Sequence, residues 1–167
     1  MGAKVAVIYW SRGGSTEQMA KAVAAGLKES GVDADLFKVS EVDSSVADKY
    51  NGFALGCPAM GKEVLEEKVF EPFFASIEKK LKGKDVALFG AYGWGDGKWM
   101  REWTERAEAD GAKVLKPGLI VKTSTDFMSR IKQAFGKEQK IDQKPCLDYG
   151  RKLAERFAKG QKLHNSK

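Results

Sequence analysis

Short, continuous apolar runs recur along the chain, and stretches with helical periodicity separate them. The first run is Val5–Tyr9, and Phe53–Gly56, Val86–Phe89 and Leu119–Val121 repeat its pattern. Such runs are typical of strands that are buried on both faces. Asp35–Val39 is more polar, which fits a strand at the edge of a sheet. The sequence therefore predicts five strands.

Four groups of apolar residues have the spacing of buried helix faces. They are Met19, Val23 and Leu27; Phe73, Phe74, Ile77 and Leu81; Met100, Trp103 and Ala107; and Cys146, Tyr149, Leu153 and Phe157. The last group predicts a helix from about Pro145 to Lys159. Strands that alternate with helices predict an α/β fold, with a doubly wound, five-stranded parallel sheet in strand order 2-1-3-4-5 and helices on both faces.

The length of the chain favours a simple architecture. With 167 residues it is long enough for one well-packed core, so we expect a single domain over residues 1–167. Residues 123–144 are a polar stretch without a clear pattern between the last strand and the last helix, and we expect a basic C-terminal tail at about 160–167. No apolar run approaches the roughly 20 residues of a membrane-spanning helix. The N-terminal residues lack the pattern of a signal peptide, so the expected location is the cytoplasm.

Cysteine and histidine are too scarce for several kinds of site. Cys57, Cys146 and His164 are the only residues of these types in the sequence. Neither a disulfide scaffold nor a zinc site is therefore expected. A catalytic set built on His164 is equally unexpected, because this residue lies in the C-terminal tail. We predict no metal ligands and no catalytic residues, and we interpret Cys57 as a packed residue because no base neighbours it in sequence.

The net charge of +6 is unevenly distributed along the chain. Residues 1–120 contain 17 lysines and arginines against 18 acidic residues, a net charge of −1, whereas residues 121–167 contain 12 against 5, a net charge of +7. A basic segment can bind an acidic partner or a nucleic acid, but aromatic residues for base stacking are sparse in this one. We expect a solvated helix face, a disordered tail and no stable nucleic-acid complex. A module that binds nucleic acid or another anionic surface is the third interpretation of the chain.

The segment Ser11–Thr16 lies between the first predicted strand and the first predicted helix. Its glycines let the backbone approach an anion, its hydroxyl groups can donate hydrogen bonds, and the helix N-terminus adds partial positive charge. The segment lacks the motifs of a Walker A loop and of a Rossmann fingerprint. It indicates a phosphate site, although a tight turn in which Ser15 caps the helix fits the same residues.

Two further segments, Gly56–Glu63 and Gly90–Gly97, follow the third and fourth strands. In the second of them, glycines alternate with larger residues and present Tyr92 and Trp94. An exposed tryptophan is costly unless it covers something flat or anchors a partner. Because strands 1, 3 and 4 are neighbours in the predicted order, all three segments converge on one crevice. Phosphate donors, Met60 and Trp94 together indicate a site for a flat aromatic ring that carries a phosphate.

Several motifs of the chain resemble those of short-chain, clostridial flavodoxins. They are Tyr9-Trp10-Ser11 with Gly14 and Thr16-Glu17; Gly56-Cys57-Pro58-Ala59-Met60-Gly61 with Glu63; Glu71-Pro72-Phe73; and Phe89-Gly90-Ala91-Tyr92-Gly93-Trp94-Gly95-Asp96-Gly97-Lys98-Trp99-Met100. The similarity covers roughly residues 4–122 and resumes at 146–157, and its most specific part is the Tyr-Gly-Trp-Gly run. It implies a flavodoxin-like fold, FMN as the cofactor, and low-potential one-electron transfer between redox partner proteins by a monomer.

The resemblance also implies a set of FMN contacts. Ser11, Arg12, Gly13, Gly14, Ser15 and Thr16 would hold the 5′-phosphate, and the other expected contacts are Pro58, Ala59, Met60, Gly61, Glu63, Ala91, Tyr92, Gly93, Trp94 and Gly97. Met60 would pack on the inner face of the ring and Trp94 on the outer face. The N–H groups of Gly93 and Trp94 would lie near the N1/O2 edge, and Glu63 would accept from N3–H. The Gly61 peptide would turn on one-electron reduction so that its carbonyl accepts from N5–H, since glycine adopts positive φ at little cost.

The chain departs from the family pattern in two of these segments. In the phosphate segment, Arg12 and Gly13 stand where glycine and threonine are usual, and Ser15 replaces an asparagine. In the segment after the third strand, Lys62 replaces an acidic or small residue. Arg12 is therefore either a new phosphate contact or a solvated surface residue. We favour the solvated residue, because the N–H groups of the loop already suffice for the phosphate.

Other prominent residues have structural interpretations. We interpret Trp99 and Trp103 as helix core or rim rather than as ligand contacts. The acidic side chains of Glu63, Glu66, Glu67 and Asp96 would lower the potential of the second reduction, although a solvated face is the other interpretation of the glutamates apart from Glu63. A basic partner would dock at the acidic rim of Glu63, Glu66 and Glu67, or an acidic partner would bind the C-terminal part; charge alone does not choose between them.

The absence of acid–base machinery in these motifs indicates a carrier rather than an enzyme. The alternative is an FMN-dependent oxidoreductase that acts on a quinone or a porphyrinogen. Compared with the family, we expect an insertion at about 123–144, after the last strand. This insertion motivates the alternative, because it would roof the ring and form a substrate pocket.

Overall fold

The structure is a computed structural model that describes residues 4–60, 63–123 and 141–165, with side chains up to residue 159. The strands are β1 (Lys4–Tyr9), β2 (Asp33–Lys38), β3 (Gly52–Gly56), β4 (Asp85–Tyr92) and β5 (Lys113–Lys122). The helices are α1 (Ser15–Glu29), α2 (Val46–Lys49), α3 (Phe70–Ile77), α4 (Lys98–Ala109) and α5 (Lys144–Asn165), with 3₁₀ turns at Val39–Glu41 and Glu78–Leu81. All strands pair in parallel in the order β2-β1-β3-β4-β5, which confirms the predicted fold.

Two buried layers cover the two faces of the sheet, because successive side chains of each strand point to opposite faces. One layer packs α2, α3 and α4 against residues such as Ile8 and Leu55. The other packs α1 and α5 against residues such as Val7 and Phe89. All four predicted helix faces are buried in these layers. Trp99 and Trp103, for which core and rim were both open, are each only 2% exposed and lie in the core.

The strand at the edge beside β4 is longer than the sequence indicated. The apolar run Leu119–Val121 marked only the C-terminal part of this strand, whereas β5 begins at Lys113. Much of β5 is half-buried or exposed, so its first part lacks a continuous apolar run, and a cis peptide bond joins Lys116 to Pro117. The pairing of β4 with β5 shifts register between Ala87 and Phe89.

The hydroxyl group of Tyr149 on α5 occupies this irregularity. It accepts a hydrogen bond from the Leu88 N–H (3.3 Å) and lies 3.1 Å from the Leu88 carbonyl oxygen and 3.2 Å from that of Leu115. Burial raises the pKa of Tyr149, so its hydroxyl stays protonated and can donate to these oxygens. A side chain from the last helix thus satisfies backbone groups that the shifted strands leave unpaired.

Helices α1 and α5 pack with their backbones in close contact. A Cβ atom at Gly26 would collide with the carbonyl oxygen of Leu147, and one at Gly150 would collide with that of Val23. The helix predicted to end at about Lys159 continues to Asn165. Its arginines form ion pairs, Arg151 with Glu29 and Asp148, and Arg156 with Asp85.

The predicted insertion falls largely on residues 124–140, which lie outside the described residues, as do residues 166–167 of the predicted tail. Within the described ranges, no helix is long and apolar enough to cross a membrane.

Candidate functional site

Three loops and the end of β5 surround a cavity of about 750 Å³ at the carboxyl ends of the strands, which we call the carboxyl-end cavity. It is lined by Ser11, Arg12, Gly13, Gly14, Ser15, Thr16, Glu17, Pro58, Ala59, Met60, Ala91, Tyr92, Gly93 and Thr123. The cavity lies beside the boundary between β1 and β3, where the strand order reverses and where ligands of such sheets bind.

The first loop, residues 10–14, leads from β1 into α1. The Ser11 hydroxyl accepts a hydrogen bond from the Gly14 N–H at 3.1 Å, which closes the loop into a tight turn. Gly14 is the N-cap residue and has a φ of 92°, a conformation that favours glycine. The alternative in which Ser15 caps the helix is therefore wrong, because Ser15 is already the first helical residue.

The N-terminus of α1 faces the cavity without a cap from its own N-cap residue. Gly14 has no side chain to bond the N–H groups of the first turn, which in an α-helix have no partners within the helix. Ser15 and Thr16 are buried, and the Thr16 hydroxyl accepts from the Ala91 N–H at 3.4 Å. A hydroxyl that accepts one bond still has a proton to donate. The first turn of α1 therefore offers both backbone and hydroxyl donors to an anion.

Two charged residues belong to the lining of the cavity. Arg12 is exposed, as expected of a solvated residue, although it borders the cavity. Glu17 lies in the first turn of α1 and pairs with Lys21 at 3.3 Å.

The second loop, residues 57–69, continues the pairing of β3 with β4 beyond Gly56. The Cys57 N–H donates to the Phe89 carbonyl at 3.1 Å, and the Ala59 N–H donates to the Ala91 carbonyl at 3.0 Å. Met60 then pairs antiparallel with Val64. Gly61, predicted as the residue whose peptide turns on reduction, lies outside the described residues, as does Lys62.

The carboxylate of Glu66 caps α3. It accepts hydrogen bonds from the N–H groups of Lys68 (2.8 Å), Val69 (2.8 Å) and Phe70 (2.7 Å). Burial by itself would raise the pKa of Glu66, but these three N–H groups lower it overall. Glu66 is only 7% exposed, so its assignment to an exposed acidic rim is wrong. Its position four residues before Phe70 was the available signal for a capping role.

Cys57 is a packed residue at the start of the second loop. It is buried, and burial raises the pKa of its thiol to about 12. The Glu66 N–H donates to its sulfur at 3.4 Å, and its carbonyl accepts from the Trp99 indole N–H at 3.2 Å. The thiol stays protonated at neutral pH and is a poor nucleophile.

The third loop, residues 93–97, presents the largest exposed aromatic side chain among the described residues. Trp94 is 60% exposed, whereas Tyr92 is half-buried and packs against Trp99 with ring centroids 5.5 Å apart. The loop ends at Gly97, the N-cap residue of α4, with a φ of 90°. Glu63 reaches this helix from the second loop, since its Oε1 accepts from the N–H groups of Gly97 and Lys98, each at 3.2 Å.

The structure brings most of the predicted contacts into one cavity. Gly61 is not described, and Glu63, Trp94 and Gly97 lie on the second and third loops but are not part of the cavity lining. Sequence reasoning missed Glu17 and Thr123. Thr123 directly follows β5, and its N–H donates to the Tyr92 carbonyl at 2.8 Å. Its place after a strand end, where the other site residues also lie, was the signal for it.

The chain is similar to known flavodoxins over most of its length. The flavodoxin family model matches residues 7–133. A flavodoxin from Clostridium beijerinckii is 44% identical over 148 residues, which cover 89% of this chain and 97% of the relative. A flavodoxin from Megasphaera elsdenii is 43% identical over 116 residues, which cover 70% and 85% of the two chains.

Solved structures give the same result. The solution structure of two-electron reduced Megasphaera elsdenii flavodoxin superposes with a TM-score of 0.72 at 36% identity, and covers 90% of this chain and 98% of the other.

Proposed function

The chain belongs to the flavodoxin family, and from this premise we propose that it is a low-potential carrier that moves single electrons between redox partner proteins through bound FMN. Flavodoxins bind FMN and transfer electrons rather than act as enzymes. FMN supplies the redox chemistry, and the protein supplies binding, orientation and the electrostatic environment. No separate subunit is needed for this role, so we propose that the carrier acts as a monomer.

The observation that carries the proposal is the carboxyl-end cavity, with an uncapped helix N-terminus in its wall and an exposed tryptophan on the neighbouring loop. Its volume of about 750 Å³ is in the range of sites for cofactors and other small molecules, roughly 300–1,000 Å³. A Cβ atom at Gly13 would meet no protein atom within 4 Å, so the loop leaves room for a ligand. The residues therefore fit a phosphorylated flat ring such as FMN.

We assign the phosphate end to the first loop and the first turn of α1. The N–H groups of this turn and the hydroxyls of Ser11, Ser15 and Thr16 are the proposed donors. Charge-assisted hydrogen bonds of this kind are roughly twice as strong as neutral ones. Gly13 and Gly14 allow the backbone to approach the phosphate, and Arg12 is not required for binding.

We assign the ring end to the second and third loops. Met60 would pack on the inner face of the ring and Trp94 would cover its outer face, which would give the exposed indole a flat partner. Pro58, Ala59, Ala91, Tyr92 and Gly97 complete the proposed surroundings. The N–H groups of Gly93 and Trp94 would donate at the N1/O2 edge, Glu63 would accept from N3–H, and the Gly61 carbonyl is the proposed acceptor for N5–H.

A low potential follows from this proposed environment. Stacking on the electron-rich indole of Trp94 and the nearby carboxylates of Glu63 and Asp96 oppose a negative charge on the reduced ring. Uptake of the second electron is therefore harder than in water.

Ligand titrations test the binding site. We expect the apoprotein to bind one FMN, and to bind FMN at least about 100-fold more tightly than riboflavin, because riboflavin lacks the phosphate. A Thr16→Val variant should reduce the ratio of FMN affinity to riboflavin affinity. Arg12→Ala should leave this ratio within about threefold of its value in the natural protein. Equal affinity for FMN and riboflavin in the natural protein would contradict the proposed phosphate site.

Redox measurements test the carrier role. Reductive titration of the FMN-loaded protein should proceed in two separated one-electron steps, and the second potential should lie below that of free FMN. The protein should pass electrons to a redox protein but show no turnover of NAD(P)H with a quinone on its own. Such turnover without a partner reductase would instead indicate an FMN-dependent oxidoreductase.

A further inference from the structure

Glu63 has an unusual backbone conformation for a residue with a side chain. Its φ is 55°, and it is the only described residue other than glycine with positive φ. This conformation is strained for a residue with a Cβ atom and persists only where surrounding contacts enforce it. Two backbone hydrogen bonds between Met60 and Val64 close the turn that contains Glu63. The Met60 N–H donates to the Val64 carbonyl at 2.8 Å, and the Val64 N–H donates to the Met60 carbonyl at 2.9 Å.

The side chain of Glu63 supplies the cap that α4 cannot provide for itself. Gly97 is the N-cap residue of α4 and has no side chain, while Oε1 of Glu63 accepts from the N–H groups of Gly97 and Lys98 at 3.2 Å each. A carboxylate at a helix N-terminus is stabilised both by these hydrogen bonds and by the helix dipole. The cap of this twelve-residue helix therefore comes from a different loop.

The third loop is shaped to admit this carboxylate. A Cβ atom at Gly95 would collide with Oε1 of Glu63, and Gly95 has a φ of 90°. Glycine at 95 thus leaves the path open along which Glu63 reaches α4.

We propose that Glu63 is a positioning residue that fixes the third loop, and with it Trp94, before FMN binds. The inference rests on the proposed function in one respect: Trp94 and Gly93 are the proposed ring contacts. Because Oε1 of Glu63 accepts from the N–H groups at the start of α4, Oε2 of the same carboxylate would accept from N3–H of the ring. One carboxylate would then tie together the loop that carries Met60, the loop that carries Trp94 and the edge of the cofactor.

Amide hydrogen exchange in the FMN-free protein tests this role directly. In a Glu63→Ala variant, the amides of Gly97 and Lys98 should exchange about fivefold faster, the size expected for loss of a helix cap. Glu63→Gln keeps an acceptor oxygen and should exchange at rates between those of the natural protein and the alanine variant. Glu67→Ala, which removes an exposed glutamate of the same loop, should leave both amides unchanged.

A glycine variant separates the side chain from the backbone conformation. Glu63→Gly removes the carboxylate but favours positive φ, so it should fold and still show faster exchange at Gly97 and Lys98. FMN affinity should fall about tenfold in the alanine and glycine variants, since the third loop must then be ordered during binding.

Unchanged exchange of the Gly97 and Lys98 amides in Glu63→Ala and Glu63→Gly overturns the proposal, even where FMN affinity falls, because Glu63 would then act only by touching the ring. If the natural protein failed to bind FMN, the proposed function would be wrong, yet the exchange measurement would still report the cap.

Discussion

The backbone conformations of single residues shape the proposed phosphate end of the site. Gly14 holds a φ of 92° as the N-cap residue of α1, whereas a Cβ at its neighbour Gly13 would meet open space. The two glycines are adjacent in sequence but differ in what they require. This difference allows a matched comparison of two Gly→Ala changes.

We expect Gly14→Ala to lower the free energy of unfolding of the apoprotein by about 1–2 kcal/mol, because alanine is strained at this φ. Gly13→Ala should change it by less than about 0.5 kcal/mol or stabilise slightly. Urea unfolding of the two apoproteins measures both values. Equal losses would show that the conformation at Gly14 is not what the helix start needs.

Glu66 predicts a specific dependence of stability on pH. The pKa of Glu66 is lowered in the folded protein, so its carboxylate contributes to the free energy of unfolding at pH values above the ordinary glutamate pKa. This stabilisation is lost as the pH falls through the pKa that Glu66 has in the folded protein. Glu66→Gln should lose about 1–3 kcal/mol at pH 7, because a neutral amide satisfies three N–H groups poorly. The loss should shrink as the pH falls below the ordinary glutamate value of about 4.5. Urea unfolding of both proteins at pH 7 and under acid tests this, and a constant difference would contradict it.

The glutamates also show what sequence could not predict at this scale. Glu63, Glu66 and Glu67 read alike as an acidic rim, but only Glu67 is exposed. Glu66 caps α3 within its own segment, and Glu63 caps α4 across a separation of 34 residues. The glycines and Trp94 were easier to predict, because a specific motif marks them.

At the scale of elements, periodicity gave the buried strands and the helix faces but not the extent of β5. An edge strand is buried on fewer sides, and Lys116, Pro117 and Gly118 interrupt its apolar pattern. The register shift beside it depends on Tyr149, which is 61 residues from its partner Leu88. No local pattern reports a contact at that distance.

We expect Tyr149→Phe to lower the free energy of unfolding by about 1–3 kcal/mol, because buried backbone groups of Leu88 and Leu115 lose their partner. Tyr50→Phe is the matched control, since the Tyr50 hydroxyl bonds to Asp35 at 2.7 Å in a half-buried place with access to water. Its loss should be below about 1 kcal/mol. Urea unfolding of both variants gives the comparison, and similar losses would mean that the strand irregularity needs no support from α5.

At the scale of the whole molecule, charge is segregated. Residues 1–120, which contain the proposed FMN contacts, have a net charge of −1, while residues 121–167 have +7. We therefore expect the second potential to be less negative than in strongly acidic relatives, because a nearly neutral body repels the added electron less.

Reversal of a charge near the cavity should shift this potential. Arg12→Glu should lower the second potential by roughly tens of millivolts at low salt and by less at high salt. Lys28→Glu makes the same change in the last turn of α1, roughly 20 Å from the first turn at about 1.5 Å per residue, and should have little effect. Potentiometric titration of both variants tests the expectation. Equal shifts would mean that total charge, not its position, sets the potential.

Because α5 supports β4, cofactor binding depends on a part of the chain that is synthesised late. The ribosome makes α5 after every strand, yet Tyr149 completes the backbone bonding of β4, the strand that ends in Ala91 and Tyr92 of the cavity wall. A nascent chain that already contains all five strands would still lack a finished wall, so capture of the cofactor should wait until the last helix has left the exit tunnel.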